Sequence, residues 1–255
     1  MTPPQPTGAF RWLQAASGLV LRCTPLAEIA PHLFTTASVR LREDAGEWRR
    51  VEADLNVPPE SLRLVHQVHR RDVAVVRPDD PTSVNRPEAD IIISNAAATG
   101  IGVRTADCAS ILFADRRGAN VGAAHAGWRG TMQDVAGTAV RALRDTFGVR
   151  PSDIIAAVGP CLGPCCGEMG DEVPEAFRAA GHGDADIERW FDRRRQGKPH
   201  FDLWLANADQ LERAGVPATS IYVARLCTKC RPDVFHSYRA AGAAVGRMAA
   251  AIRPN

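Results

Sequence analysis

Short apolar runs recur along the chain between breaks rich in glycine, proline and charge, and their period separates strands from helices. Gly18–Cys23 and His32–Thr36 read as strands. A charged stretch from Arg40 to Arg50 follows, with a short helix over Trp48–Leu55 that stops before Pro58-Pro59. Leu62–His69 alternates in part and the pattern resumes at Val73–Val76, which predicts two strand segments joined irregularly through His66–Asp72. Beyond a polar loop at Pro78–Pro87 come three strands of buried character, Ala89–Ser94, Gly100–Thr105 and Ser110–Asp115. Val121-Gly-Ala-Ala-His-Ala-Gly-Trp-Arg-Gly130 is an apolar strand that breaks at His125 into a glycine-rich turn before a helix. Thr131 and Asp134 have the spacing of a capping box. Met132, Val135, Ala136, Ala139, Val140 and Leu143 then recur at helical period as far as Gly148.

The second half continues with a strand at Asp153–Val158, the rigid loop Gly159-Pro-Cys-Leu-Gly-Pro-Cys-Cys166 and a helix over Asp171–Ala180. Gly181–Pro199 reads as a polar surface excursion and Asp202–Ala214 as a helix ended by Gly215. Ser220–Arg225 is a strand, and the alanine-rich stretch Ala240–Ile252 predicts a final helix. Strands and helices mix without strict alternation, which predicts an α+β (mixed α/β) fold: a layered sandwich of mixed sheets flanked by helices. The prolines of the first nine residues suggest a disordered lead, and residues 10–255 are long enough for one large domain as readily as for two.

Composition narrows the function classes. The chain has 255 residues, 45% hydrophobic and 24% charged, with a net charge of +2. That balance gives no electrostatic case for nucleic acid or an anionic membrane. No run of about 18 apolar residues suggests a membrane span. The start of the chain lacks the basic and apolar regions of a signal peptide. Seven cysteines, an odd number, then point to reduced thiols and a cytoplasmic location rather than a disulfide framework. A monomer acting on a small molecule is the expectation.

Candidate chemistry gathers near strand ends. His69, Cys108 and His125 could supply two nitrogens and a sulfur to a zinc ion, leaving one position open. His66 is a rival to His69, and in extended backbone the two would point to opposite faces. Cys108 beside His125 also fits a nucleophile–base dyad oriented by Asp107. Arg129, just before a helix, fits an anion site or a structural ion pair. Cys227-x-x-Cys230 is half of a zinc pattern, and Cys161-x3-Cys165 is a loose match for the other half. Buried free thiols are the plainer reading of these and of Cys166. Glu168 fits a buried carboxylate for acid–base work or a solvated turn residue.

Taken together, His66-Gln-Val-His69, Thr105-Ala-Asp-Cys108, His125-Ala-Gly-Trp-Arg-Gly130, Gly159–Cys166, and Cys227-Thr with Ser237-Tyr-Arg239 resemble the YfiH family. That family is also called the laccase-domain or polyphenol oxidase family and, in bacteria, peptidoglycan editing factor. The motifs stand in the family's order and extend over roughly residues 30 to 240. The resemblance implies a single-domain layered fold and a zinc held by His69, Cys108 and His125. It implies phosphorolysis of adenosine, inosine, guanosine or methylthioadenosine, and deamination of adenosine. Arg129, Arg239 and Arg40 would then hold phosphate, while Asp107 or Glu168 moves protons and Cys108 belongs to the catalytic set. The alternative it implies is a hydrolase that edits serine-containing peptidoglycan precursors at the same site, by zinc-bound water or a Cys108/His125 dyad. Copper is less expected than zinc. A multicopper oxidase needs on the order of ten histidines, several as His-x-His, whereas this chain has seven and no such pair. Arg70 and Gly167 stand where the family usually has glycine and an aromatic residue, at positions that would edge the substrate pocket.

Overall fold

A computed structural model describes residues 2–42, 44–80, 86–192 and 197–255. The polar segments expected at Pro78–Pro87 and Gly181–Pro199 lie partly outside these residues. The chain opens with β1 (Phe10–Ala15), β2 (Gly18–Cys23), α1 (Thr24–Ala27), β3 (His32–Thr35) and α2 (Ala45–Leu55). Next come β4 (Leu62–Leu64), β5 (Val73–Val76), β6 (Ile91–Ser94), β7 (Gly100–Thr105), β8 (Ala109–Asp115) and β9 (Val121–Ala126). Helices α3 (Trp128–Met132) and α4 (Val135–Phe147) precede β10 (Ile154–Val158), α5 (Glu172–Ala179) and α6 (Asp184–Trp190). The chain closes with β11 (Phe191–Asp192), β12 (His200–Phe201), α7 (Leu203–Arg213), β13 (Ile221–Val223), α8 (Tyr238–Ala241) and β14 (Met248–Ile252).

Two six-stranded mixed sheets result, in the orders β1-β2-β3-β14-β7-β4 and β13-β10-β8-β9-β6-β5. Side chains of a strand alternate between its faces, and here both faces of the central strands are buried. In β8, Leu112 and Ala114 join Leu21, Phe34, Ile101 and Val103 in the core between the sheets. The intervening Ile111 and Phe113 pack against α4 and α7 through Val140, Leu143, Ala206 and Leu211. On the outer face of the first sheet, Val20, Leu33 and Ala251 meet Val51 and Leu55 of α2. The layers are therefore helix, sheet, sheet, helices. Double-sided burial explains why these strands read as unbroken apolar runs rather than as polar–apolar alternation.

Several expectations give way to tertiary packing. The alanine-rich C-terminal stretch is not one helix. After the four residues of α8, Met248–Ile252 form a strand paired antiparallel with both β3 and β7. Met248, Ala250 and Ile252 enter the core between the sheets, and Ala249 and Ala251 enter the one beneath α2. Alanine favours helix by only tenths of a kcal/mol per residue, which two ladders and burial on both faces outweigh. The expected capping box is also absent. Gly127 caps α3, and Thr131 lies inside that helix, accepting from Gln210 Nε2 at its carbonyl (2.6 Å) and from Asn207 Nδ2 at its hydroxyl (3.3 Å). Asp134 then breaks the helix with a left-handed backbone (φ 59°). The stretch after Gly181 contains α6, whose Trp190 is fully buried, so it is not all surface. The N-terminal lead is tied down as well: Thr7 donates from its hydroxyl to Val223 O (2.8 Å), and Pro4 O accepts from Trp12 Nε1 (2.7 Å).

His32 carries a pH-dependent part of the stability. It is fully buried, its Nε2 accepts from the Cys23 amide (3.0 Å) and its Nδ1 lies 3.0 Å from Ala30 O. Burial holds this imidazole neutral, with its pKa lowered to about 4. Protonation is easier in the unfolded chain, near pH 6.5, so stability present at neutral pH is lost as pH falls from about 6.5 toward about 4. Urea denaturation is expected to show His32 costing about 2 kcal/mol between pH 7 and pH 5. A His32→Gln variant should lack that part of the slope, and identical slopes in the two proteins would contradict the assignment.

Candidate metal centre

Two crossings between the sheets and one strand end deliver the site. β4 belongs to the first sheet and β5 to the second, so the chain changes sheet through 65–72, where His69 sits. β7 and β8 likewise belong to different sheets, and Cys108 occupies the short crossing between them. His125 lies near the end of β9, opposite Ser110 of β8. The three side chains converge, with one ligand atom from each lying within 4.8 Å of the others. The rings of His69 and His125 meet edge to face, 4.9 Å between centroids. Both crossings are strained: His69 (φ 60°) and Asp107 (φ 85°) take the left-handed backbone that side chains disfavour. Gly127 leaves the necessary room, since a Cβ there would lie 2.8 Å from Cys108 Sγ and 3.3 Å from His69 Cδ2.

Asp90, just before β6, holds the arrangement. It is fully buried, and its Oδ1 lies 2.8 Å from His125 Nδ1. Its Oδ2 accepts from the amides of Val68 (3.1 Å) and Arg70 (2.7 Å), on either side of His69. Its own carbonyl accepts from the His125 amide (2.8 Å). The carboxylate thus orients one imidazole, leaving Nε2 toward the cluster, and also shapes the loop that carries the other. Gln67 adds a second clamp, donating to Arg104 O (2.7 Å) and accepting from Arg104 N (2.8 Å).

Electrostatics prepare the sulfur. Burial opposes ionisation of Cys108, but the charge and hydrogen bonds of His125, and then of His69, outweigh it and bring the thiol down to about 6. Burial likewise opposes charge on His125, while the Cys108 thiolate and Asp90 raise it to about 9. Asp90 is held below its ordinary value: burial works against this, and the His125 and backbone hydrogen bonds prevail. A thiolate is the form that ligates metal. Two imidazoles and a thiol at this separation are a candidate set of three metal donors.

The three residues line a cleft of about 810 Å³. Arg42, Arg104, Arg129, Arg239 and Arg247 line it, with Asp107 among them. Its apolar lining includes Leu162, Met169, Phe201 and Leu203. The Arg129 guanidinium lies over the Trp128 ring, 4.2 Å from its centroid.

The profile of the multi-copper polyphenol oxidoreductase laccase family matches residues 43–255. Purine nucleoside phosphorylase YfiH of Escherichia coli is 37% identical, over 80% of this chain and 78% of its own length. The chain belongs to the YfiH family. Adenosine deaminase RL5, from an unknown prokaryotic organism, is 35% identical to this YfiH-family chain, over 76% of it and 75% of RL5. The crystal structure of YlmD from Geobacillus stearothermophilus superimposes with a TM-score of 0.82 at 29% identity, covering 92% of this chain and 96% of YlmD.

Within the YfiH-family site the anticipated residues separate into those the fold brings together and those it does not. His69, rather than His66, joins Cys108 and His125, although His66 also lines the cleft. The carboxylate on His125 is Asp90, which sequence reasoning missed, and not Asp107. Its one signal was an acidic residue opening the apolar run Ala89–Ser94. Asp107 does line the cleft, but both of its oxygens are engaged, by the Thr228 hydroxyl (2.5 Å) and the Arg239 amide (2.6 Å). Glu168 is exposed and its side chain does not line the cleft; it lies near Lys198 Nζ (4.0 Å). Only its carbonyl serves the site, accepting from Arg239 Nη1 (2.8 Å). Arg40 also stays outside, bound to Ala244 O (3.1 Å), and Arg42 stands in the cleft instead.

Replacing Asp90 removes the orienting partner from His125 and the anchor from the His69 loop. Asp90→Asn is expected to weaken metal retention about 10- to 100-fold, measured by competition with a chromogenic chelator. Unchanged affinity would show that Asp90 does not position the ligands.

Proposed function

We propose that this YfiH-family protein is a zinc-dependent purine nucleoside enzyme, cleaving nucleosides with phosphate and deaminating adenosine. The observation that carries the reading is a nitrogen–nitrogen–sulfur cluster opening onto a cleft walled by arginines. His69, Cys108 and His125 would hold the ion, since a thiolate with two imidazoles suits zinc and a catalytic site needs three protein ligands. Only two of the seven histidines enter a candidate metal group among the described residues, which does not suit a multicopper cluster. When bound, zinc supplies Lewis acidity and lowers the pKa of water.

The remaining chemistry belongs to the chain. Arg129, fixed in orientation by its stack on Trp128, and Arg239, fixed by Glu168 O, present guanidinium forks to phosphate. Leu162, Met169 and Phe201 offer an apolar wall to a purine base. In phosphorolysis a phosphate oxygen bonds to C1′ of the ribose, the bond to N9 breaks, and the base leaves with a proton. In deamination the oxygen of water bonds to C6 of adenine and ammonia departs. Asp107 positions rather than reacts, because its carboxylate ties the Cys108 crossing to the Thr228 and Arg239 segments. The relatives named purine nucleoside phosphorylase and adenosine deaminase support both reactions.

The test is product analysis with adenosine and inosine, with and without phosphate, on protein of known metal content. We expect free base with ribose 1-phosphate when phosphate is present, inosine from adenosine without it, and loss of both after chelation or Cys108→Ala. Arg129→Met is expected to raise the phosphate KM roughly tenfold, the worth of about one charge-assisted hydrogen bond, and to spare deamination. If none of these products forms, the reading fails.

A further inference from the structure

A second cluster lies apart from the His69–Cys108–His125 site. Cys165 and Cys166, in the loop after β10, meet Cys227 and Cys230, in the loop after β13, with all four sulfurs within 4.8 Å of one another. Cys165 Sγ is 3.4 Å and Cys166 Sγ is 3.6 Å from Cys230 Sγ. A tetrahedral zinc with Zn–S bonds of about 2.3 Å sets its sulfurs roughly 3.8 Å apart, and these separations lie close to that edge. A disulfide would need two of the four sulfurs and would leave the closeness of the others unexplained.

The grouping differs from the one the spacing suggests. Cys161 takes no part; it is buried in the core beneath α7. Its backbone instead splices the two loops, donating to Leu226 O (3.2 Å) and accepting from the Thr228 amide (3.0 Å).

We propose that Cys165, Cys166, Cys227 and Cys230 bind a structural zinc ion. Four thiolates close the coordination sphere, so this ion takes no substrate. Its thiol protons pass to solvent as the metal binds. Its position gives it a role. The first loop carries Leu162, Gly167 and Met169 into the cleft, and the second carries Thr228, which donates to Asp107. Neither loop has regular secondary structure of its own between Gly159 and Gly170 or between Ala224 and Ser237, apart from isolated bridges. A metal joining them replaces the missing ladder and fixes one wall of the cleft.

Metal content of the full chain, produced with zinc and purified under reducing conditions, tests this. The expected content is about two zinc ions per chain, one for each cluster. Cys108→Ala should keep one, and a Cys165→Ser/Cys230→Ser double variant should lose the other. Chelation should lower the melting temperature of the Cys108→Ala protein. If the double variant does not fold, cobalt loading of the Cys108→Ala protein decides. Strong thiolate-to-cobalt charge transfer with tetrahedral d–d bands is expected. A single zinc that disappears with Cys108→Ala, iron in place of zinc, or a disulfide to Cys230 in the reduced protein would overturn the proposal.

Discussion

Asp90 is the interaction on which the site depends. A buried carboxylate costs several kcal/mol unless its lone pairs are met, and here three donors meet them: His125 Nδ1 and the amides of Val68 and Arg70. The same bonds that satisfy the charge place two of the three converging side chains. One imidazole is turned so that its Nε2 faces the cluster, and the His69 loop is bent into a left-handed residue it would otherwise avoid. The loop at 65–72 and the strand β9 come from different parts of the chain, and one buried carboxylate joins them.

The architecture explains why the site lies where it does. A two-sheet sandwich whose chain passes from one sheet to the other concentrates irregular backbone at the sandwich ends. The crossings at 65–72 and 106–108 emerge at the same end, because β4 and β7 run parallel in one sheet and β5 runs parallel to β6 in the other. The second crossing is flanked by the interior strands β7 and β8, while the first, between the edge strands β4 and β5, is tied down by Asp90 and by the Gln67–Arg104 pair. Rigid placement of ligands is what a metal site requires.

Charge is arranged at short range rather than over the whole molecule. The net charge of +2 hides a cleft lined by five arginines beside a thiolate–imidazole group. Several of those guanidiniums are already oriented by carbonyls or by a ring, as Arg42 is by Ala243 O and Val245 O. Preordered guanidiniums lose less freedom on meeting an anion than free ones do.

Much of the fold was legible in the chain, because strands buried on both faces leave apolar runs of strand length bounded by glycine and charge. β2, β3 and β6 to β10 carry that local signature, and α4 and α7 show the helical period instead. His69, Cys108 and His125 were legible as candidates through their motifs, as were Arg129 and Arg239 as candidate anion-binding groups, whereas Arg42, Arg104 and Arg247 were not. What the sequence alone determined was therefore which segments are apolar at which period, and which side chains are available for chemistry. Tertiary structure decided the rest, since the deciding energies are not local. Met248–Ile252 has the composition of a helix and becomes a central strand because β3 and β7 offer it two ladders. Arg42 rather than Arg40 reaches the cleft, across the left-handed backbone of Leu41 (φ 41°), and Glu168 is exposed while its neighbours Gly167 and Met169 line the cleft. Asp90 reads as an ordinary acidic residue at a strand start, and only the convergence of segments distant in sequence shows that it faces His125. Local propensity is worth tenths of a kcal/mol per residue, whereas burying a charge or pairing a strand is worth several, so long-range contacts settle each of these positions.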